Sequence, residues 1–126
     1  MAQRALVLFA HGARDPRWAE PFQRLQEITQ GQIPDVAVSL AFLELMSPRL
    51  PDHVAELVQK GFGEITVVPI FFGQGGHVLR DLPLMIAQLK TEYPQLKLNV
   101  VAAVGENSEV LNAIAAYCAS ALAGLS

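Results

Sequence analysis

The run Arg4-Ala5-Leu6-Val7-Leu8-Phe9-Ala10 passes directly into His11-Gly12-Ala13-Arg14-Asp15-Pro16. Its apolar part is too short for an amphipathic helix and has no polar alternation, the pattern of a parallel strand covered on both faces. Asp15-Pro16 then reads as a helix N-cap with a first-turn proline, and Trp18, Phe22, Leu25 and Ile28 fall on one face of the helix that follows. The opening of the chain is therefore a strand, a polar loop and a helix.

Working outward, the same unit recurs. Val36 to Phe42, Ile65 to Ile70 and Leu96 to Val104 read as three further strands. Between them, Ser47-Pro48 offers a helix start leading to Val54, Leu57 and Val58, with Gly61 as a stop. Leu82, Met85, Ile86, Leu89 and Tyr93 follow helical spacing until Pro94, and a last helix runs from about Asn107 to Leu122 with Gly124 beyond it. The order β-α-β-α-β-α-β-α predicts an α/β fold: an open, mainly parallel four-stranded sheet with helices on both faces and right-handed crossovers. The chain has 126 residues, the length of one domain, residues 1–126.

Composition narrows the function classes. Net charge is −3, and no basic stripe of the kind nucleic acid requires is visible. Cys118 is the single cysteine, so neither a disulfide nor a thiolate zinc cluster is expected, and Cys118 itself reads as core. The apolar run Ala5 to Ala10 is too brief for a signal peptide. The tail Ala113 to Leu125 is shorter than a membrane span and is interrupted by Ser120. These features lead us to expect a soluble cytoplasmic protein. Apolar residues make up 52% of the chain, a mild surplus that points to strands buried on both faces or to a subunit interface.

Ligands of open parallel sheets bind beyond the carboxyl ends of the strands, so the residues after each strand carry the functional argument. His11 follows the first strand, and Glu44 lies in Leu43-Glu44-Leu45-Met46-Ser47-Pro48 after the second. His77 lies in Phe71-Phe72-Gly73-Gln74-Gly75-Gly76-His77-Val78-Leu79-Arg80-Asp81 after the third, and Glu106 lies after the fourth. Neutral imidazole is the commonest side-chain ligand for borderline divalent metals, and a carboxylate adds an oxygen donor or a base. Two histidines and one acid leave coordination positions open, as a catalytic site requires. Taken one at a time, each histidine equally reads as a loop residue bonding a backbone carbonyl.

Gly73, Gly75 and Gly76 lack the Lys-Ser/Thr of a P-loop, and Val78 stands where a dinucleotide fingerprint needs its last glycine. Gly75 and Gly76 instead suit a turn, or the close approach of a flat ligand to the backbone. Arg14 and Arg80 flank the histidines and can clamp carboxylates. Asp15 and Asp81 read as helix caps, and His53 as a surface residue of the second helix. Phe71 and Phe72 read as packing residues or as the lining of a cavity for an aromatic ring.

Three segments together carry a resemblance: Ala10-His11-Gly12-Ala13-Arg14-Asp15-Pro16, Phe42-Leu43-Glu44-Leu45-Met46-Ser47-Pro48, and Pro69-Ile70-Phe71-Phe72-Gly73-Gln74-Gly75-Gly76-His77-Val78. In order and spacing they resemble the class II sirohydrochlorin chelatases, the CbiX-like family, over essentially the whole chain. Ala13 departs from the family's usual serine. The resemblance implies a chelatase-like fold and a short form equivalent to half of a long-form enzyme, pairing as a homodimer. It implies His11 and His77 as metal-binding residues assisted by Glu44. The implied substrates are a divalent metal (Co²⁺ first, Ni²⁺ or Fe²⁺ as alternatives) and the polycarboxylate tetrapyrrole sirohydrochlorin. No organic cofactor, nucleic acid or membrane is expected.

Two other readings compete. A histidine-nucleophile phosphotransfer enzyme typically shows Arg-His-Gly, and here Ala10 precedes His11. A tetrapyrrole or metal carrier that binds without turnover fits the same residues.

Overall fold

Strand β1, Gln3–Ala10, is the central rail of the protein. In the computed structural model it pairs in parallel with β2 (Ala37–Phe42) on one side and β3 (Phe62–Pro69) on the other, and β4 (Lys97–Val100) continues beyond β3. The sheet order is β2-β1-β3-β4. The structure describes residues 3–73 and 76–124, and the side chains of all of these except 76–79. The helices are α1 (Glu20–Gln32), α2 (Leu50–Gln59), α3 (Gly76–Glu92) and α4 (Ser108–Gly124), with short 3-10 turns at Pro16–Ala19 and Val104–Glu106. No helix among the described residues is long and apolar enough to cross a membrane.

From β1 the chain steps one way to β2 and the other way to β3 and β4. Right-handed crossovers therefore place α1 on one face and α2 with α3 on the other. The larger core lies on the second face. There Val7, Phe9, Ile65 and Val67 of the sheet meet Leu50, Val54 and Leu57 of α2 and Leu82, Ile86 and Leu89 of α3. On the α1 face, Ala10, Ala19 and Phe42 pack with Trp18, Phe22 and Leu40.

Burial on the α1 face is uneven. Register aligns Leu40 with Leu8 and Leu8 with Val68, and Val101 extends the row by donating its N–H to the Val67 carbonyl. Leu8 is buried, Val68 half-buried and Val101 46% exposed. The expectation of strands covered on both faces thus fails toward β4. The reason is that α4 does not return over the sheet: Val110 is half-buried and every other described residue of α4 is exposed, Cys118 included. The reading of Cys118 as core is corrected accordingly.

Element ends differ where the backbone overrides side-chain pattern. β4 ends at Val100 rather than Val104 because the ladder has no next donor. Val101 N–H bonds Val67 O, so the following bond would need an N–H from Pro69, which proline lacks. Helix α2 starts at Leu50, with Pro51 in its first turn, rather than at Ser47-Pro48. The Pro48 carbonyl accepts from Phe42 N–H and Arg49 bridges to Phe42, holding this segment against the end of β2. Helix α3 starts early, at Gly76. Gly76, His77, Arg80 and Asp81 are therefore helical rather than loop residues, and Asp81, in the second turn, is not an N-cap.

His53 is not a simple surface residue either. It is half-buried on α2, and its Nε2 lies 2.7 Å from Ser39 Oγ of β2. Its Nδ1 is buried without a hydrogen-bond partner. Burial holds its pKa below the ordinary 6.5, outweighing the nearby Glu56 carboxylate, which acts in the opposite direction. The unfolded chain takes up this proton near pH ~6.5 while the folded chain resists it. Stability contributed by neutral His53 is therefore complete above that value and declines as pH falls toward the lower folded value. Urea midpoints measured from pH 7 to 5 are expected to fall more steeply for the wild type than for His53→Gln. Parallel profiles contradict this account.

Candidate functional site

The carboxyl edge of the sheet is stitched together by backbone bonds that extend β1 and β2 beyond their strand ends. Leu43 N–H donates to Ala10 O at 2.9 Å and Glu44 N–H to His11 O at 3.1 Å. On the other flank of β1, Ile70 N–H donates to Phe9 O at 2.8 Å. These bonds bring the first two predicted site residues together: His11 Nε2 lies 3.2 Å from Glu44 Oε1. Their side chains are 43% and 44% exposed, so the pair is open to a ligand while its backbone is fixed.

Gly12 makes this approach possible. Its φ is +98°, and a Cβ built there would lie 1.8 Å from the Glu44 carbonyl oxygen. A second glycine closes the other half of the edge. Gly105 N–H donates to Phe71 O at 2.9 Å, and a Cβ on Gly105 would lie 2.1 Å from Phe72 O. The exits of β1 and β2 are thus held as one pair and those of β3 and β4 as another.

The remaining predicted residues distribute as follows. His77 and Gly76 lie in the first turn of α3, directly after the β3 exit loop, and their side-chain surroundings lie outside the described residues. Gly75 lies outside the described residues altogether. Arg14 is exposed on the β1 exit loop, and Arg80 is exposed on α3 one turn beyond His77. Asp15 caps the 3-10 turn as expected, accepting from Arg17 N–H at 2.9 Å. The Arg17 guanidinium, 2.7 Å away, holds the Asp15 carboxyl below the usual carboxylate range.

Phe71 and Phe72 part company. Phe71 packs edge-on against Phe9, with ring centroids 5.7 Å apart, whereas Phe72 is 66% exposed at the sheet edge. Glu106 is exposed in the turn after β4. Pattern alone does not single out Arg49, which reads as part of a helix start. Its Nε donates to the Leu43 carbonyl at 3.3 Å, which ties the α2 start to the residue before Glu44. Among the described residues no cluster of three or more metal-donor side chains occurs, so the described part of the site is the His11–Glu44 pair.

The pair's spacing fits a shared cation. Metal–nitrogen and metal–oxygen bonds of about 2.0–2.2 Å place two ligands roughly 2.9–3.5 Å apart at octahedral to tetrahedral angles. The observed 3.2 Å falls within that span. It is also a hydrogen-bond distance, across which Nε2 donates to Glu44 when it carries the proton.

Comparison with known proteins finds relatives of the whole fold. The chain is 32% identical to a sirohydrochlorin cobaltochelatase of Methanopyrus kandleri over 82 residues, 65% of this chain and 57% of that protein. It is 28% identical to a sirohydrochlorin cobaltochelatase of Sulfolobus acidocaldarius over 107 residues, 85% of this chain and 83% of that one. Against the first such relatives, from Methanopyrus kandleri and Methanococcus aeolicus, the match spans only 57% and 62% of their length. Among solved structures, a Marinobacter aquaeolei CbiX protein named for cobalamin (vitamin B12) biosynthesis superposes with a TM-score of 0.83 at 32% identity. The match covers 94% of this chain and 97% of that one. SirB of Bacillus subtilis, a sirohydrochlorin chelatase solved with cobalt, shares the fold with a TM-score of 0.78 at 23% identity, over 94% of this chain and 50% of that one. The CbiX family profile matches residues 5–121, which takes in the four strands except the first two residues of β1 and spans both His11 and Glu44: the chain belongs to the CbiX family.

Proposed function

We propose that the protein is a sirohydrochlorin metal chelatase, inserting Co²⁺, with Ni²⁺ or Fe²⁺ as alternatives, into a polycarboxylate tetrapyrrole. The observation that carries this reading is the 3.2 Å approach of His11 Nε2 to Glu44 Oε1 at the open carboxyl edge of the sheet. Names of relatives support the reaction class: several are sirohydrochlorin cobaltochelatases, and one from Bacillus subtilis, 24% identical, is a sirohydrochlorin ferrochelatase.

Insertion has three physical requirements: a partly desolvated cation must be held, two pyrrole N–H protons must leave, and the ring must be brought to the metal. In this reading His11 and His77 hold the cation through neutral nitrogens. Support for joining them comes from topology, since β1 and β3 are adjacent and the crossovers leaving them lie on opposite faces, the switch point at which open sheets bind ligands. Glu44 either completes the coordination or accepts a pyrrole proton. Binding stays modest because the site is open on one side, so the metal can leave with the product. Exposed Phe72 offers a flat apolar surface to the macrocycle, Arg14 and Arg80 pair with its carboxylates, and Gly75 and Gly76 let it approach the backbone. The short form is read as working as a homodimer.

The test is to mix the protein with sirohydrochlorin and Co²⁺ and follow the absorbance change of the ring. Repeated turnover above the spontaneous rate is expected. A single stoichiometric binding event without turnover makes the protein a carrier and overturns the enzyme reading. Glu44→Gln separates the roles of the acid. If Glu44 is a ligand or orients one, metal affinity falls ~10–100-fold. If it moves protons, affinity is kept and the insertion rate falls ~100-fold or more.

A further inference from the structure

One turn at the carboxyl edge is held against the preference of its own residue. Among the described residues Leu45 is the single non-glycine with positive φ, at +68°. Across it the Glu44 carbonyl accepts Met46 N–H at 2.8 Å, closing a γ-turn of the rare and strained positive-φ form. The Leu45 Cβ opposes this conformation, and leucine lacks the short polar group that lets Asn or Asp offset it. The turn itself has a structural reason. Leu43 is buried in the core under α2 and α3, whereas Met46 packs with Ala10, Ala19 and Phe42 on the other face. The leucine has none, because its side chain is 57% exposed and belongs to neither core. Glycine would make the same turn without strain. Strain that the folded chain does not need is characteristic of ligand sites.

We propose that Leu45 is a substrate-contact residue, its side chain packing against the apolar face of the tetrapyrrole ring. The inference rests on the chelatase reading above and deepens it, by naming a residue that recognises the ring rather than the metal or the rim carboxylates.

Position supports this. Leu45 directly follows Glu44 at the exit of β2, and Phe72, 66% exposed, stands at the exit of β3. β1, which leads into His11, runs between those two strands. β2 and β3 are thus two strand spacings apart, roughly 9–10 Å, and an exposed apolar side chain stands on each flank of the β1 exit. A flat ring seated over the His11–Glu44 pair meets both. Its carboxylates lie at the rim, so its faces are apolar. Covering a face with leucine is favourable in proportion to the area removed from water. The turn also fixes the direction of the Leu45 Cα–Cβ bond before the ring arrives, so less ordering accompanies binding. The hold on Glu44 does not depend on the leucine. Glu44 N–H donates to His11 O at 3.1 Å, and its carbonyl sits against Gly12.

The experiment compares wild type, Leu45→Gly and Leu45→Met, each as the full chain. Leu45→Gly relieves the strain and removes the contact, so stability and ring binding are expected to move in opposite directions. Tm rises by roughly 2–8 °C, while the Kd for metal-free sirohydrochlorin, followed by ring fluorescence, weakens about 5–20-fold. Affinity for Co²⁺ alone, by calorimetric titration, is unchanged, because the His11 and Glu44 side chains are untouched. Leu45→Met, which restores an apolar side chain, recovers most of the lost ring affinity. Unchanged ring affinity in Leu45→Gly overturns the inference and makes the turn a purely structural device. A loss of Co²⁺ affinity with ring binding intact overturns it too, and assigns the turn to positioning Glu44. A wild type that takes up Co²⁺ but no ring is a different failure: it sinks the chelatase reading, and the inference with it.

Discussion

Replacing His11 by alanine is expected to lower metal insertion by ~100-fold or more, since even a group that merely orients a metal ligand carries 10–100-fold of affinity. The variant keeps Glu44, but a single exposed carboxylate is a weak host for a borderline cation that prefers nitrogen. Stability should barely move, within about 0.5 kcal/mol, as expected for a partly exposed side chain outside the core. Alanine loses the His11–Glu44 side-chain contact, which joins two partly exposed groups and is worth little, but retains the carbonyl that accepts Glu44 N–H. Two measurements check this: the rate of absorbance change with sirohydrochlorin and Co²⁺, and the urea midpoint. Wild-type insertion by His11→Ala contradicts the site. A large fall in the midpoint assigns His11 to folding instead.

Gly12→Ala is expected to be strongly damaging, at ~3–5 kcal/mol, combining an unfavourable backbone conformation with a steric clash. Gly12 and Gly61 adopt nearly the same backbone, φ +98° and +96°, yet only Gly12 has a neighbour. A Cβ at Gly61 meets nothing within 4 Å, whereas one at Gly12 meets Glu44 O at 1.8 Å. Gly61→Ala thus measures the conformational cost alone, about 1–2 kcal/mol, and the difference between the two variants measures the clash. At about 4 °C per kcal/mol for a chain of this size, Gly12→Ala should lower Tm by roughly 12–20 °C. Because the atom that must yield is the Glu44 carbonyl, any Gly12→Ala protein that folds should also insert metal poorly. Equal losses at the two glycines would show that the close approach to Glu44 carries no strain.

The fold was legible because hydrophobic periodicity, capping residues and glycine stops agreed along most of the chain. The unbroken apolar run through Val7 and Phe9, and the helical spacing of Val54, Leu57 and Val58, needed no tertiary knowledge. What pattern could not reveal were effects of one backbone on another. The end of β4 depends on Pro69 in a different strand, and the start of α2 depends on Pro48 being held by Phe42. His53 and Cys118 were misread for a related reason. Whether a helical residue is covered depends on what lies across from it: Ser39 receives His53, whereas Cys118 stands exposed on α4. For the site, strand-exit logic brought His11 to Glu44 correctly. It overlooked Arg49, whose hold on the Leu43 carbonyl has no signature in a single sequence.

The bonds that lock both flanks of β1 beyond its end, Leu43 to Ala10, Glu44 to His11 and Ile70 to Phe9, have a kinetic meaning. Amide protons at Leu43 and Ile70 should be among the last to exchange with deuterated solvent, because releasing them means tearing the middle of the sheet. On the proposed reading, a cation reaching His11 and Glu44 meets backbone that is already fixed, so neither the β1 nor the β2 exit has to rearrange to receive it.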